Sequence, residues 1–115
     1  MRCYIYVIGP EHGPYKVGIA GDPWGRLCEL QVANWNVLVI HALHAIPADA
    51  DPLGVESRVH ASLKRSSIRG EWFDGTPAAI SRAILAVLDS PPMSQEAKAR
   101  HAVLTLHPLA KAASE

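Results

Sequence analysis

The chain lacks most features that would place it in a specialised class. Two cysteines occur in 115 residues, Cys3 and Cys28, with no CxxC spacing. That excludes a disulfide framework and a cysteine-rich zinc module. Both thiols are expected as reduced core residues. No charge surplus exists either, with 11 Lys plus Arg against 11 Asp plus Glu. A strongly basic coat is therefore excluded, though one local basic face is not. No apolar run reaches the ~18 residues of a membrane span, and no secretory pattern follows Met1-Arg2. The expectation is a soluble, cytoplasmic chain with no membrane partner. Repeats and low-complexity runs are absent as well. What is present is 49% hydrophobic residues, enough for one packed domain at this length.

The local patterns predict an order ββαβα(β)α. Residues 3–8, CYIYVI, are β-branched and aromatic and read as a strand. GPEHGP at 9–14 must turn, and YKVGIA at 15–20 forms the second arm of a hairpin. Asp22 followed by Pro23 starts a helix over 21–34, with Trp24, Leu27, Cys28 and Gln31 on its inner face. Residues 35–46, WNVLVIHALHAI, suit a central strand buried on both faces. Asp51-Pro52 and Thr76-Pro77 start two further helices, over 49–67 and 76–90. Between them lies a short extended piece with Trp72 and Phe73, expected to plug the core. The fold class expected is a small α/β (α+β) domain, a three- to four-stranded antiparallel sheet flanked by helices. It should occupy residues 1–90, with 91–115 a tail that is either an appended helix or a frayed end.

Four polar residues interrupt this apolar scheme. Tyr6 and Lys16 stand on the hairpin, ten residues apart, Arg26 lies ten residues further on, and Glu56 sits on the second helix. A phenol, an ammonium, a guanidinium and a carboxylate on one patch suit phosphodiester chemistry. The carboxylate would hold a hard divalent cation, and the guanidinium would grip a phosphate. The ammonium would ease loss of the phenolic proton. Each also has a plain structural reading: a core aromatic, two solvated cations, an exposed helix carboxylate. His60 is either a core histidine bonded to the backbone or a companion of Glu56. Glu71 caps or pairs with an arginine. His12, His41 and His44 lack ligand spacing with a carboxylate, so a zinc site is not expected. Lys64, Arg65 and Arg69 form a basic rim for a phosphate backbone or merely solubilise a helix end.

These residues carry a resemblance. Ile5-Tyr6, Lys16-Val17-Gly18 and DPWGRL resemble the two signature motifs and the arginine helix of the GIY-YIG nuclease superfamily. Glu56 and His60 in E-x-x-x-H, then Gly70-Glu71-Trp72-Phe73, resemble its T5orf172 branch, also described as meiotically up-regulated gene 113 domains. The similarity covers about residues 3–88. It implies a metal-dependent endonuclease, associated with phage or mobile elements, that uses Mg2+ or Mn2+ on DNA, with RNA left open as a substrate. The acting unit would be a monomer or a homodimer. Tyr6 would activate water beside Lys16, Arg26 would contact phosphate, and Glu56 would bind the metal, with His60 in the same catalytic group. Lys64, Arg65 and Arg69 would bind nucleic acid.

The match has gaps. Tyr4 stands where the first motif has glycine, Ile19 where many relatives have lysine, and Leu30 where a tyrosine is frequent. A second expectation therefore stays open: a nucleic-acid-binding module on the same fold that cuts weakly or not at all.

Overall fold

The computed structural model describes residues 2–89. The expected tail at 91–115 lies outside the described residues. Element order is β1 (Cys3–Gly9), β2 (Tyr15–Ala20), α1 (Pro23–Val32), β3 (Val39–Ile46), α2 (Pro52–Ser62), a 3₁₀ turn (Lys64–Ser66), β4 (Ser67–Arg69), β5 (Trp72–Phe73) and α3 (Pro77–Leu88). The strands form one antiparallel sheet in the order β3-β1-β2-β5-β4. None of the helices in the described residues is long and apolar enough to cross a membrane.

Helix starts follow from local chemistry. Asp22 accepts a hydrogen bond from the Gly25 amide at 3.1 Å, and Thr76 accepts one from Ala79 at 3.1 Å. Each cap satisfies a donor that the first helical turn leaves free, and each is followed by proline at the first helical position. Asp51 precedes Pro52 in the same way, but its side chain makes no cap bond.

Alternation along β1 divides the core. Ile5 and Val7 face one side, where Val55 and Val59 of α2 and Ile80, Ile84 and Val87 of α3 cover them. Tyr6 and Ile8 face the other side, beneath Leu27 and Leu30 of α1. Because side chains alternate with period 2, one strand serves two cores. The sheet is thus sandwiched between α1 and the α2–α3 pair, and Phe73 of β5 seals the α2–α3 side at 1% exposure.

Several expectations need correction. The sheet has five strands, not three or four, because the extended piece at 68–75 folds back on itself as the β4–β5 hairpin. β3 is an edge strand, not a central one, and starts at Val39. Its apolar run is half covered, and Trp35 before it is 96% exposed. On α1 the inner face is carried by Leu27 and Leu30, while Trp24 and Cys28 are exposed. Cys28 is therefore not a core thiol, and Cys3 is half-buried against the α2–α3 core. Trp72 is likewise only half-buried.

His44 on β3 lies 3.2 Å from the Ser81 hydroxyl of α3, tying the edge strand to that helix. Partial burial lowers its pKa below the ordinary 6.5. Unfolded chains then take up this proton first as pH falls. Stability is expected to be intact above about pH 6.5 and to drop as pH falls through the lower folded value. Urea melts at pH 7.5 and pH 5 should show the loss shrinking in a His44→Gln variant.

Candidate active site at the free edge of β2

β5 is only two residues long, so it pairs with just Tyr15 and Lys16 of β2. The rest of β2 on that side is open to side chains from elsewhere, and the candidate residues gather there.

Tyr6 and Gly18 are direct cross-strand partners. A Cβ on residue 18 would lie 2.5 Å from the Tyr6 hydroxyl and 2.8 Å from Cζ. The phenol ring therefore occupies the space above Gly18, and a side chain there is excluded. Tyr6 is 1% exposed, so its hydroxyl is not at the surface as a common strand tyrosine would be. Its partner is Arg26 on α1, whose Nε donates to the hydroxyl at 3.5 Å. The hydrogen bond to Tyr6 raises the Arg26 pKa from its ordinary value, as does the electrostatic interaction with Tyr6, aided by Glu29 and Glu71 and opposed by burial. The cation hydrogen-bonded to Tyr6 is thus Arg26. Lys16 is engaged elsewhere.

Lys16 Nζ lies 2.7 Å from Glu71 Oε2, with the lysine side chain only 12% exposed. It is no solvated edge charge. The same ammonium stands 5.8 Å from the centre of the Trp72 ring, close enough for a cation–π contact. Glu71 gets there through the turn Arg69-Gly70-Glu71-Trp72. Gly70 has φ 55°, at the first central position that a type II′ turn reserves for glycine. Glu71 then sits at the hairpin tip, its carbonyl accepting from the Val17 amide at 3.0 Å. The residues of GEWF thereby divide their work: Gly70 turns the chain, Glu71 enters the site, Trp72 lies beside Lys16, and Phe73 fills the core.

From the opposite side α2 brings Glu56 and His60, one helical turn apart. Ligand atoms of Glu56, His60 and Glu71 all lie within 4.8 Å of one another. Donors around one divalent ion sit roughly 3–4.4 Å apart when each metal–ligand bond is about 2.1 Å. Small side-chain adjustments would satisfy that spacing. His60 Nε2 stands 2.7 Å from the Val17 carbonyl. A carbonyl only accepts, so Nε2 is the donor here and Nδ1 is the ring nitrogen left to act as a ligand. A backbone carbonyl orienting one nitrogen while the other is free is the arrangement of a metal-binding histidine. His60 is bonded to the backbone and stands beside Glu56, half-buried rather than in the core. Glu71 was missed as a site residue because a hairpin, not a helix or a long strand, carries it. Its place inside GEWF was the available signal.

The structure therefore forms two groups, Tyr6 with Arg26 and Lys16 with Glu71, Glu56 and His60. They flank neighbouring residues of β2, with the Tyr6 hydroxyl over Gly18 and His60 Nε2 bonded to the Val17 carbonyl. The departures from the motif fall into place. Leu30 packs beside Tyr6, and Ile19 points into the α2–α3 core, away from Tyr6. His41 and His44 are bonded to main-chain carbonyls and to Ser81. Lys64, Arg65 and Arg69 are all exposed, on the 3₁₀ turn and β4.

The family model described as the T5orf172 domain matches residues 3–88. The chain belongs to the T5orf172 domain family. This is a nuclease-like, DNA-binding family. The matched span of this T5orf172 domain runs from the start of β1 to the end of α3 and takes in every site residue above. No curated protein and no solved structure matches the chain.

Proposed function

We propose that this T5orf172 domain is a metal-dependent endonuclease of GIY-YIG type, hydrolysing phosphodiester bonds in DNA. The observation that supports the reading is the carboxylate–imidazole–carboxylate cluster, which Lys16 joins through Glu71, beside a strand whose Gly18 lies under the hydroxyl of Tyr6, the partner of Arg26.

Glu56, His60 and Glu71 would hold a divalent cation. When bound, it would polarise a phosphate oxygen and offset charge on the leaving oxygen. The chain's own groups account for the rest. Arg26 has a planar guanidinium able to grip a phosphate oxygen while its Nε stays on Tyr6. That donation orients the Tyr6 oxygen, which takes the proton from an attacking water. Water oxygen bonds to phosphorus as the bond to the leaving sugar oxygen breaks. Lys16 adds a positive charge beside this centre, held in place by Glu71 and Trp72.

Supercoiled plasmid incubated with the protein and Mn2+ is expected to convert to nicked circles, and EDTA to stop the conversion. Intact plasmid at every metal tested would refute cleavage. The ligand set also bears on the ion. An imidazole beside two carboxylates suits first-row transition ions better than Mg2+, which prefers an all-oxygen shell rich in water. Calorimetry should find Mn2+ bound roughly tenfold or more tightly than Mg2+, with the gap narrowed by His60→Gln.

The second reading, binding without cleavage, draws on the burial of Tyr6, whose hydroxyl water must reach. Salt-sensitive DNA binding with no nicking at any metal would establish it.

A further inference from the structure

The α1 side of the sheet continues past the site. Direct partners across strands point to the same face, and Lys16 is paired with Trp72, which is paired with Arg69. The Lys16–Trp72 contact confirms their common face. Arg69 reaches that face through a register shift between Ser67 and Arg69. Strict alternation from Ser67, which stands opposite the core residue Phe73, would turn Arg69 toward the α2–α3 side. One extra residue, Ile68, brings Arg69 opposite Trp72 instead. Such bulges re-aim side chains beside functional sites.

The result is a row of cation, indole and cation. Lys16 lies nearly covered, Trp72 is half-exposed and Arg69 is exposed. Two strand spacings make the row roughly 10 Å long. On the other face Phe73 is buried in the core, while this row is open among the described residues.

We infer that the β4–β5 hairpin is a track for one nucleic-acid strand, which runs from the candidate site over Trp72 to Arg69. Arg69 takes a phosphate, and the indole takes a base or sugar face, a contact tolerant of sequence. The row offers no pattern of paired donors and acceptors to read base edges, so the track positions the strand without selecting its sequence. This inference rests on the nucleic-acid reading above.

The test is fluorescence anisotropy of a labelled 20-nucleotide single-stranded DNA in EDTA at low salt, which separates binding from cleavage. Arg69→Ala should weaken binding severalfold and reduce the salt slope by roughly 0.7. Trp72→Leu should weaken binding roughly tenfold at an unchanged slope, with circular dichroism confirming the fold. Arg82→Ala, at an exposed position of α3, should bind like wild type. The deciding variant is the exchange Ser67→Arg with Arg69→Ser, which keeps net charge but moves the cation to the opposite face. It should bind as weakly as Arg69→Ala. Wild-type affinity in that exchange, or in Arg69→Ala, would overturn the track while leaving the nuclease reading standing. A wild-type protein that binds no nucleic acid at all would overturn both.

Discussion

Glu56→Ala is expected to abolish plasmid nicking and Mn2+ binding while the protein stays folded. Glu56 is half-buried on α2, one turn before His60, and its carboxylate is one of three ligand atoms within 4.8 Å of one another. Removing it leaves one imidazole and Glu71, which Lys16 already engages at 2.7 Å. A metal supplies several kcal/mol of transition-state stabilisation. Its loss corresponds to a fall of about 10³-fold or more in rate, at tenfold per ~1.4 kcal/mol. Stability should change little, within about 0.5 kcal/mol. Glu56 packs no core. Plasmid nicking, Mn2+ calorimetry and a thermal melt read the three quantities separately. A variant that nicks at the wild-type rate would remove Glu56 from the site. One that fails to fold would show the helix, not the chemistry, to be at fault, and Glu56→Gln would then decide.

Gly18→Ala should be nearly as damaging, though residue 18 contributes no functional group. The added methyl would lie 2.5 Å from the Tyr6 hydroxyl and 2.8 Å from Cζ, inside any real contact distance. Tyr6 is fully buried between Gly18 and α1, so the ring can relieve the clash only by moving against Leu27, Leu30 and Arg26. Overpacking of this kind costs about 1–3 kcal/mol. The displacement also separates the hydroxyl from Arg26 Nε, whose 3.5 Å contact has little to spare. Nicking is expected to fall about 10²-fold, the loss typical of a misplaced reacting group. Denaturant titration would record the destabilisation. A Tyr6→Phe change should lose comparable activity at little cost in stability. If Gly18→Ala cut at the wild-type rate, Tyr6 would have no part in proton transfer.

Much of this site was legible in the chain because its parts are local. Lys16-Val17-Gly18 lies on one strand, and Gly18 is explained by the ring opposite it. Glu56 and His60 share a helix face through their four-residue spacing. What stayed hidden depended on pairing across distance. Lys16 looked like the tuner of Tyr6 because both stand on one hairpin. The register instead places Gly18 opposite Tyr6 and Lys16 opposite Ile8, so Lys16 turns to Glu71, 55 residues away. The apolar run at 35–46 suggested a central strand. Strand order, which no single segment encodes, put it at the edge.

By itself the sequence determined where helices start and where the first hairpin turns. Asp22-Pro23 and Thr76-Pro77 act over three or four residues, through cap bonds and fixed φ, whatever the rest of the chain does. It also determined the inventory of a phenol, two cations, two carboxylates and an imidazole. Tertiary structure alone decided which of them meet. A two-residue β5 leaves β2 open, a turn at Gly70 carries Glu71 into the gap, and one extra residue in β4 brings Arg69 to the face of Lys16. Each is a matter of register. Side chains alternate across a strand, so a shift of one residue exchanges the faces of a sheet, and no local propensity records which face will be used.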